Sequence, residues 1–313
     1  MKSFPIIFVL SFVFHISFAQ KAKPEPSIKN IHYGEHDRNV LDIWFAQSKK
    51  NTPLVIYIHG GAFSSGSKEK LNSNTLSQLL EEGISVAAIN YRLLSNAPLP
   101  AAHNDAKLAL QFIRSRAKEW KIDKNKIALF GGSAGAQICM WLAFSDDMAN
   151  TNSSNPIEQE STRVLCIAPK IGQTTMKREF WNSLAKRHIG NINGKDYTTK
   201  VFGNTKQSNT RLMRMFGCKT IEEAMEKAED VSALDLITAD DPPVYMEYYM
   251  SPNAAPPSNP KKIKGWLIHH VDFGVALKQK MDELHMEVDL KYPGSQTKYG
   301  SIIEFFKAKL VAH

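Results

Sequence analysis

The stretch Ile127-Ala128-Leu129-Phe130-Gly131-Gly132-Ser133-Ala134-Gly135-Ala136 runs an apolar segment into small residues and then into a helical run from Ala136 to Asn150. A strand that feeds a helix through G-x-S-x-G has the form of a nucleophile elbow. Glycine is needed two positions before and two after the serine, because backbone and helix approach too closely there for side chains. The turn lifts the serine hydroxyl clear of the sheet edge. Ser133 is therefore the first candidate for chemistry, and the chain around it is constrained to alternate strands with helices.

A second run, Leu54-Val55-Ile56-Tyr57-Ile58-His59-Gly60-Gly61-Ala62-Phe63, is a short apolar strand ending in a glycine turn upstream of the elbow. Acyl transfer builds negative charge on a carbonyl oxygen, and fixed backbone donors stabilise it by roughly 2.7–4 kcal/mol each. Gly61, Ala62 and Ala134 are the expected donors of such an oxyanion hole, with Gly60 as the alternative. His59 is read as a brace beneath this loop and not as a base.

Lys2 precedes a mostly apolar stretch from Phe4 to Phe18, followed by the small-x-small pattern Ser17-Phe18-Ala19. This predicts a signal peptide over residues 1–19 and a secreted or periplasmic protein. No later segment approaches the roughly 20 apolar residues of a membrane span, so no integral membrane segment is expected in the mature chain. Residues 20–313 suit one large α/β domain. The oligomeric state is left open.

The formal charge of +8 is spread through lysines that mostly flank turns. Without a basic helix or an aromatic-interleaved basic patch, no nucleic-acid partner is expected. Attraction to acidic polysaccharide stays open. Cys139, Cys166 and Cys218 are odd in number and lack C-x-x-C spacing, which argues against both a disulfide framework and a zinc site.

Apolar runs recur at Val40 to Phe45, Leu54 to Ile58, Val86 to Tyr91, Ile127 to Phe130, Val164 to Ala168, Val244 to Tyr249 and Val288 to Tyr292. Asn104 to Trp120 carries a wide apolar stripe at helical spacing. The alternation predicts a mainly parallel central sheet flanked by helices, with ligands beyond the carboxyl ends of the strands. Residues 170–230 break the rhythm and are read as an inserted helical cap. Phe180, Trp181, Met213, Met215 and Phe216 are its candidate pocket walls. Ser251 to Pro260 is a Pro-rich loop.

With these residues assembled, the chain resembles the α/β-hydrolase superfamily, in its hormone-sensitive-lipase-like and bacterial acetyl- or feruloyl-esterase group. The resemblance rests on Tyr33-Gly34, Leu41-Asp42, His59-Gly60-Gly61-Ala62-Phe63, Asn90-Tyr91-Arg92-Leu93, Pro100-Ala101-Ala102 with Asp105, Gly132-Ser133-Ala134-Gly135 and Asp241-Pro242-Pro243-Val244. It implies a carboxylic-ester hydrolase without metal or organic cofactor, acting on small acyl esters or acylated sugars. Asp105 is assigned to scaffold contacts, not to catalysis.

The resemblance breaks at two loops. Its acid belongs after the strand at Val244 and its base after the last strand, yet Tyr249-Met250-Ser251-Pro252 and Pro293 to Gly300 hold neither. Loss of a serine hydrolase's histidine can cost about 10⁶ in kcat. The expected replacement lies in Gly265-Trp266-Leu267-Ile268-His269-His270-Val271-Asp272. His270 is the first choice and His269 the second, with Asp272 orienting the imidazole; the alternative is that these residues cap the following helix. His188 and Glu247 are weaker substitutes for base and acid. Three functions follow: a serine esterase working through an acyl-Ser133 intermediate, a degenerate hydrolase that only binds an ester or carbohydrate, and, more weakly, a peptidase of the same superfamily.

Overall fold

A computed structural model describes residues 23–192, 195–196 and 205–311; the expected signal peptide lies outside the described residues. Eight strands form the main sheet: β1 (Ile28–His32), β2 (Val40–Trp44), β3 (Thr52–Ile58), β4 (Ser85–Ile89), β5 (Ile122–Gly132), β6 (Cys166–Lys170), and, after the short hairpin β7 (Asn191–Ile192) and β8 (Lys195–Asp196), β9 (Val244–Glu247) and β10 (Val288–Lys291). Their spatial order is β1-β2-β4-β3-β5-β6-β9-β10. β2 is antiparallel to both its neighbours, and all pairs from β4 to β10 are parallel.

Side chains alternate across this sheet because successive residues of a strand point to opposite faces. Leu54, Ile56 and Ile58 join Ile127 and Leu129 in one core. Val55, Ala128 and Phe130 join Phe305 and Phe306 in the other. Burial on both faces explains the near-continuous apolar runs of the central strands. The outer strand β1 is mostly exposed, so the same pattern is missing from it and the sequence reading passed over it.

Helix α1 (Ser73–Glu81) crosses between β3 and β4, and α2 (Ala101–Ser115) connects β4 to β5. Helix α3 (Ala134–Phe144) follows β5 directly, and all eleven of its residues are buried. A helix apolar on every side belongs in the interior. Between β6 and β9, where a cap is expected, stand α4 (Arg178–His188) and helices at Lys206–Phe216, Ile221–Glu229 and Ala233–Leu236. The Pro-rich loop ends where Asn259 caps a helix, Pro260–Ile268, that the sequence reading did not anticipate. Pro at the first helical position and Asn before it are a known start signal. All three cysteines are unpaired. No described helix is long and apolar enough to cross a membrane.

Candidate active site

β3 and β5 are parallel neighbours, with Ile58 opposite Gly131, so the loops leaving their carboxyl ends lie side by side. Ser133 sits at the apex between β5 and α3 with φ +54° and ψ −117°. A non-glycine residue there is strained, and such strain persists only where the surroundings impose it. The surroundings are tight. A Cβ on Gly131 would lie 2.5 Å from the Ile58 carbonyl oxygen, and one on Gly135 would lie 2.1 Å from the same atom.

The first-turn N–H of Ala134 has no helical acceptor, since helices leave their initial donors free. The Gly60 to Phe63 loop runs beside it, with positive φ at Gly61, Ala62 and Phe63. Among the described residues, no acceptor takes the N–H of Gly61 or Ala62. Beneath this loop, Arg38 ties together the Tyr91 carbonyl (2.7 Å), the Gly66 carbonyl (3.0 Å) and His59 Nε2 (3.3 Å). Because the guanidinium donates to Nε2, His59 Nδ1 carries the proton and donates to the Gly60 carbonyl at 2.7 Å. His59 also stacks on Tyr91 at 4.1 Å. Burial, with the Arg38 charge adding to it, lowers the imidazole to about 4. It is a neutral brace, turned away from Ser133.

Ser133 Oγ lies 3.0 Å from His269 Nε2. His269 follows the last turn of the helix Pro260–Ile268, and its Nδ1 is 3.1 Å from the Gly265 carbonyl of that turn. A carbonyl can only accept, so Nδ1 holds the proton and Nε2 presents its lone pair to the serine hydroxyl. Burial is the leading influence on this imidazole and lowers its pKa, while the Gly265 hydrogen bond works the other way.

The structure corrects the preference for His270. That ring is fully buried, its Nδ1 accepts the Asp272 backbone N–H at 3.2 Å, and it stacks edge-on against Trp266 at 4.5 Å. Consecutive residues at a helix end point about 100° apart, so only one of the pair can face Ser133. Asp272 likewise does not orient the His269 ring. Its carboxylate accepts from His188 Nε2 at 2.7 Å and Arg187 Nη1 at 2.8 Å, and lies 3.3 Å from His270 Nδ1. Burial by itself would raise the Asp272 carboxyl, but the neighbouring His270 and His188 side chains outweigh it and hold it at about 2. Nor does Asp272 cap its helix, since no side-chain cap bond forms there. His188 is thereby committed to Asp272. Glu247 pairs with Lys170 at 3.0 Å. Asp105 grips Arg92 through backbone and guanidinium, a scaffold contact.

His188, His270 and Asp272 bring ligand-type atoms within 4.8 Å of one another. The Asp272 Oδ2 of that set already accepts from His188 and Arg187, and the Arg187 charge beside it repels a metal ion.

A cavity of about 700 Å³ opens over Ser133 and Ala134. Phe63, Leu94, Met176, Trp181, Leu212 and Met215 supply apolar wall. Of the residues expected to form a cap wall, Trp181 and Met215 reach it; Phe216 is buried in the core instead. Gln137, one turn along α3 from Ser133, also lines the cavity, and both its amide atoms are buried without a partner. Sequence reasoning missed it. The signal was a lone amide four residues after Ser133 in an otherwise apolar helix.

The strand order, the elbow and the buried central helix define an α/β-hydrolase. Residues 41–267 match the BD-FAE family model, and the chain belongs to that family. It is 33% identical over 147 residues to the probable carboxylic ester hydrolase LipM of Mycobacterium tuberculosis, a match covering 46% of this chain and 34% of that protein. It is 35% identical over 103 residues to probable carboxylesterase 2 of Arabidopsis thaliana, covering 31% and 33%. Each match thus spans about a third of the curated relative. Among solved structures, a truncated carbohydrate esterase from gut microbiota aligns with a TM-score of 0.65 at 19% identity, covering 92% of this chain and 99% of that one. The Est2 esterase of Thermogutta terrifontis, with propionate bound, aligns with a TM-score of 0.60 at 18% identity, covering 91% and 92%. At those identities the structures speak for the fold.

Proposed function

We propose that the protein is a serine carboxylic-ester hydrolase that cleaves small acyl esters or acylated carbohydrates. The observation that carries this reading is the 3.0 Å contact between Ser133 Oγ and His269 Nε2, below an apolar cavity. Matched relatives named as carboxylic ester hydrolases and carboxylesterases support the same chemistry.

Ser133 Oγ attacks the ester carbonyl carbon as His269 Nε2 takes its proton. The N–H groups of Ala134, Gly61 and Ala62, with Gly60 as the alternative, receive the oxyanion. His269 then returns the proton to the departing alcohol, leaving an acyl-Ser133 ester. Water deprotonated by the same Nε2 releases the acid. Gly265 performs the tautomer-fixing part of the usual acid's role. Replacing a triad aspartate by an amide costs roughly 10⁴ in kcat chiefly because it permits the wrong tautomer; a backbone carbonyl forbids that tautomer. It does not match a carboxylate in stabilising the imidazolium, because hydrogen bonds between charged groups are the stronger ones.

The helices between β6 and β9 act as a cap that excludes water from the acyl ester. The apolar stretch from Phe4 to Phe18 after Lys2, followed by Ser17-Phe18-Ala19, supports export through a signal peptide at residues 1–19.

Purified protein should release 4-nitrophenolate from 4-nitrophenyl acetate, and Ser133→Ala should abolish that release. Absence of turnover together with failure of a fluorophosphonate to label Ser133 would favour the binding-only alternative.

A further inference from the structure

The cavity over Ser133 is lined by Arg178, Arg211, Arg214 and Lys264, with no Asp or Glu among its described lining residues. Arg211 and Arg214 are three apart on the helix Lys206–Phe216, which puts them on one face. Both also line an adjoining hollow with Lys206. Lys264 comes from a second element, the helix Pro260–Ile268 that precedes His269. Partial burial lowers the Lys264 pKa, and the neighbouring Arg211 charge lowers it further.

Lys177 and Arg187, at the start and end of α4, and Lys170, at the end of β6, each have an acidic partner instead. Lys177 meets Asp235 at 2.6 Å, Lys170 meets Glu247 at 3.0 Å, and Arg187 meets Asp272 at 2.8 Å. Among the described residues, Arg211, Arg214 and Lys264 have no ion pair. Like charges gathered without a counter-charge beside a concave apolar wall raise the local concentration of anions. The cavity also joins this positive rim to the nucleophile, so an anion bound there belongs to a molecule whose ester reaches Ser133.

We infer that the substrate is an ester carrying a carboxylate, whose charge sits between Arg211, Arg214 and Lys264 while its ester carbonyl lies at Ser133; for turnover, though not for binding, this rests on the esterase reading above. The carboxylate belongs either to the alcohol, as in an acetylated uronic acid, or to the acyl group, as in the half-ester of a dicarboxylic acid.

Binding to the Ser133→Ala protein tests this without requiring turnover. Two pairs of probes separate the sources: an O-acetylated methyl glucuronoside against the acetylated methyl glucoside, and monomethyl glutarate against methyl butyrate. By calorimetry, the anionic member of at least one pair should bind 10-fold or more tightly. That preference should vanish in the exposed-residue triple variant Arg211→Gln, Arg214→Gln, Lys264→Gln, and shrink in 0.5 M salt. Equal binding within both pairs, or a preference that survives in the triple variant, overturns the inference. Failure of wild-type protein to cleave any ester overturns the esterase reading alone, because the binding comparison stands apart from it.

Discussion

His269 Nε2 approaches the Ser133 hydroxyl to 3.0 Å across 136 residues of sequence, while the partner of its other ring nitrogen is the carbonyl of Gly265, only four residues away. The base of the proposed mechanism is therefore oriented by its own helix end. In the usual triad a separate acidic loop does that work. His269→Ala should lower kcat/KM by at least about 10⁴, within the range seen when a serine hydrolase loses its histidine. Fluorophosphonate labelling of Ser133 should slow in parallel. Retained turnover in this variant would remove His269 from the mechanism.

The same contact sets the acid limb of the pH profile. Burial lowers the His269 pKa from the ordinary imidazole value near 6.5. The neutral, proton-accepting form thus persists below that pH, and kcat/KM should fall only as pH drops through the lowered value. An acid limb with its midpoint above 6.5 in the pH dependence of kcat/KM would contradict this.

The sheet was legible in the sequence because two-sided burial writes apolar runs, and the elbow was legible because its two glycines answer a close approach to Ile58. The choice between His269 and His270 was not. It depends on where the helix Pro260–Ile268 ends, and a shift of one residue turns the side chain by about 100°. The fate of Asp272 depended on α4, 84 residues earlier in the chain, a long-range contact that no local pattern encodes. Asn259-Pro260 did carry a helix-start signal, overshadowed by the prolines before it.

Gln137 carries a cost in the free protein. An unpartnered buried amide is worth about 1–3 kcal/mol of lost stability, and Gln137 is 1% exposed with both amide atoms unpaired. Gln137→Met, of similar length and apolar, should raise Tm by about 2 °C or more, as expected for roughly 1 kcal/mol in a domain of this size. The same change should lower kcat/KM, because the amide that substrate would satisfy is gone. Thermal melts and ester kinetics on one preparation check both halves; an unchanged kcat/KM would leave Gln137 without a role toward ligand.

His103 makes folding sensitive to mild acid. It is fully buried between Phe63 and Trp141, neither ring nitrogen has a partner, and burial lowers its pKa to about 3. The unfolded chain takes up a proton near pH 6.5 that the folded chain refuses. The stability this neutral ring contributes is therefore complete above pH 6.5 and lost as pH falls toward 3, at about 1.4 kcal/mol per pH unit. Near pH 5 the loss is about 2 kcal/mol. His103→Leu should flatten the stability profile between pH 5 and 7 in urea titrations; an unchanged slope would show that His103 gains a proton in the folded protein.

Asp272 separates a relocated triad from the arrangement described above. If it oriented the base, Asp272→Asn would cost about 10⁴ in kcat. Its carboxylate instead joins Arg187 and His188 of α4 to the His270 segment, so it fastens α4 to the segment carrying His269. The expected cost in kcat is within about 10-fold, arising from a looser His269, with KM moving as the cap shifts. Stability should respond more strongly. With the folded carboxyl at about 2 and an ordinary value near 3.8, these contacts, screened by solvent on one side, contribute roughly 1–2 kcal/mol that is present above pH 4 and lost as pH falls toward 2. The asparagine variant should be less stable at pH 7 by that order and should lack this acid-dependent step. A 10⁴-fold loss of kcat without loss of stability would return Asp272 to the catalytic machinery.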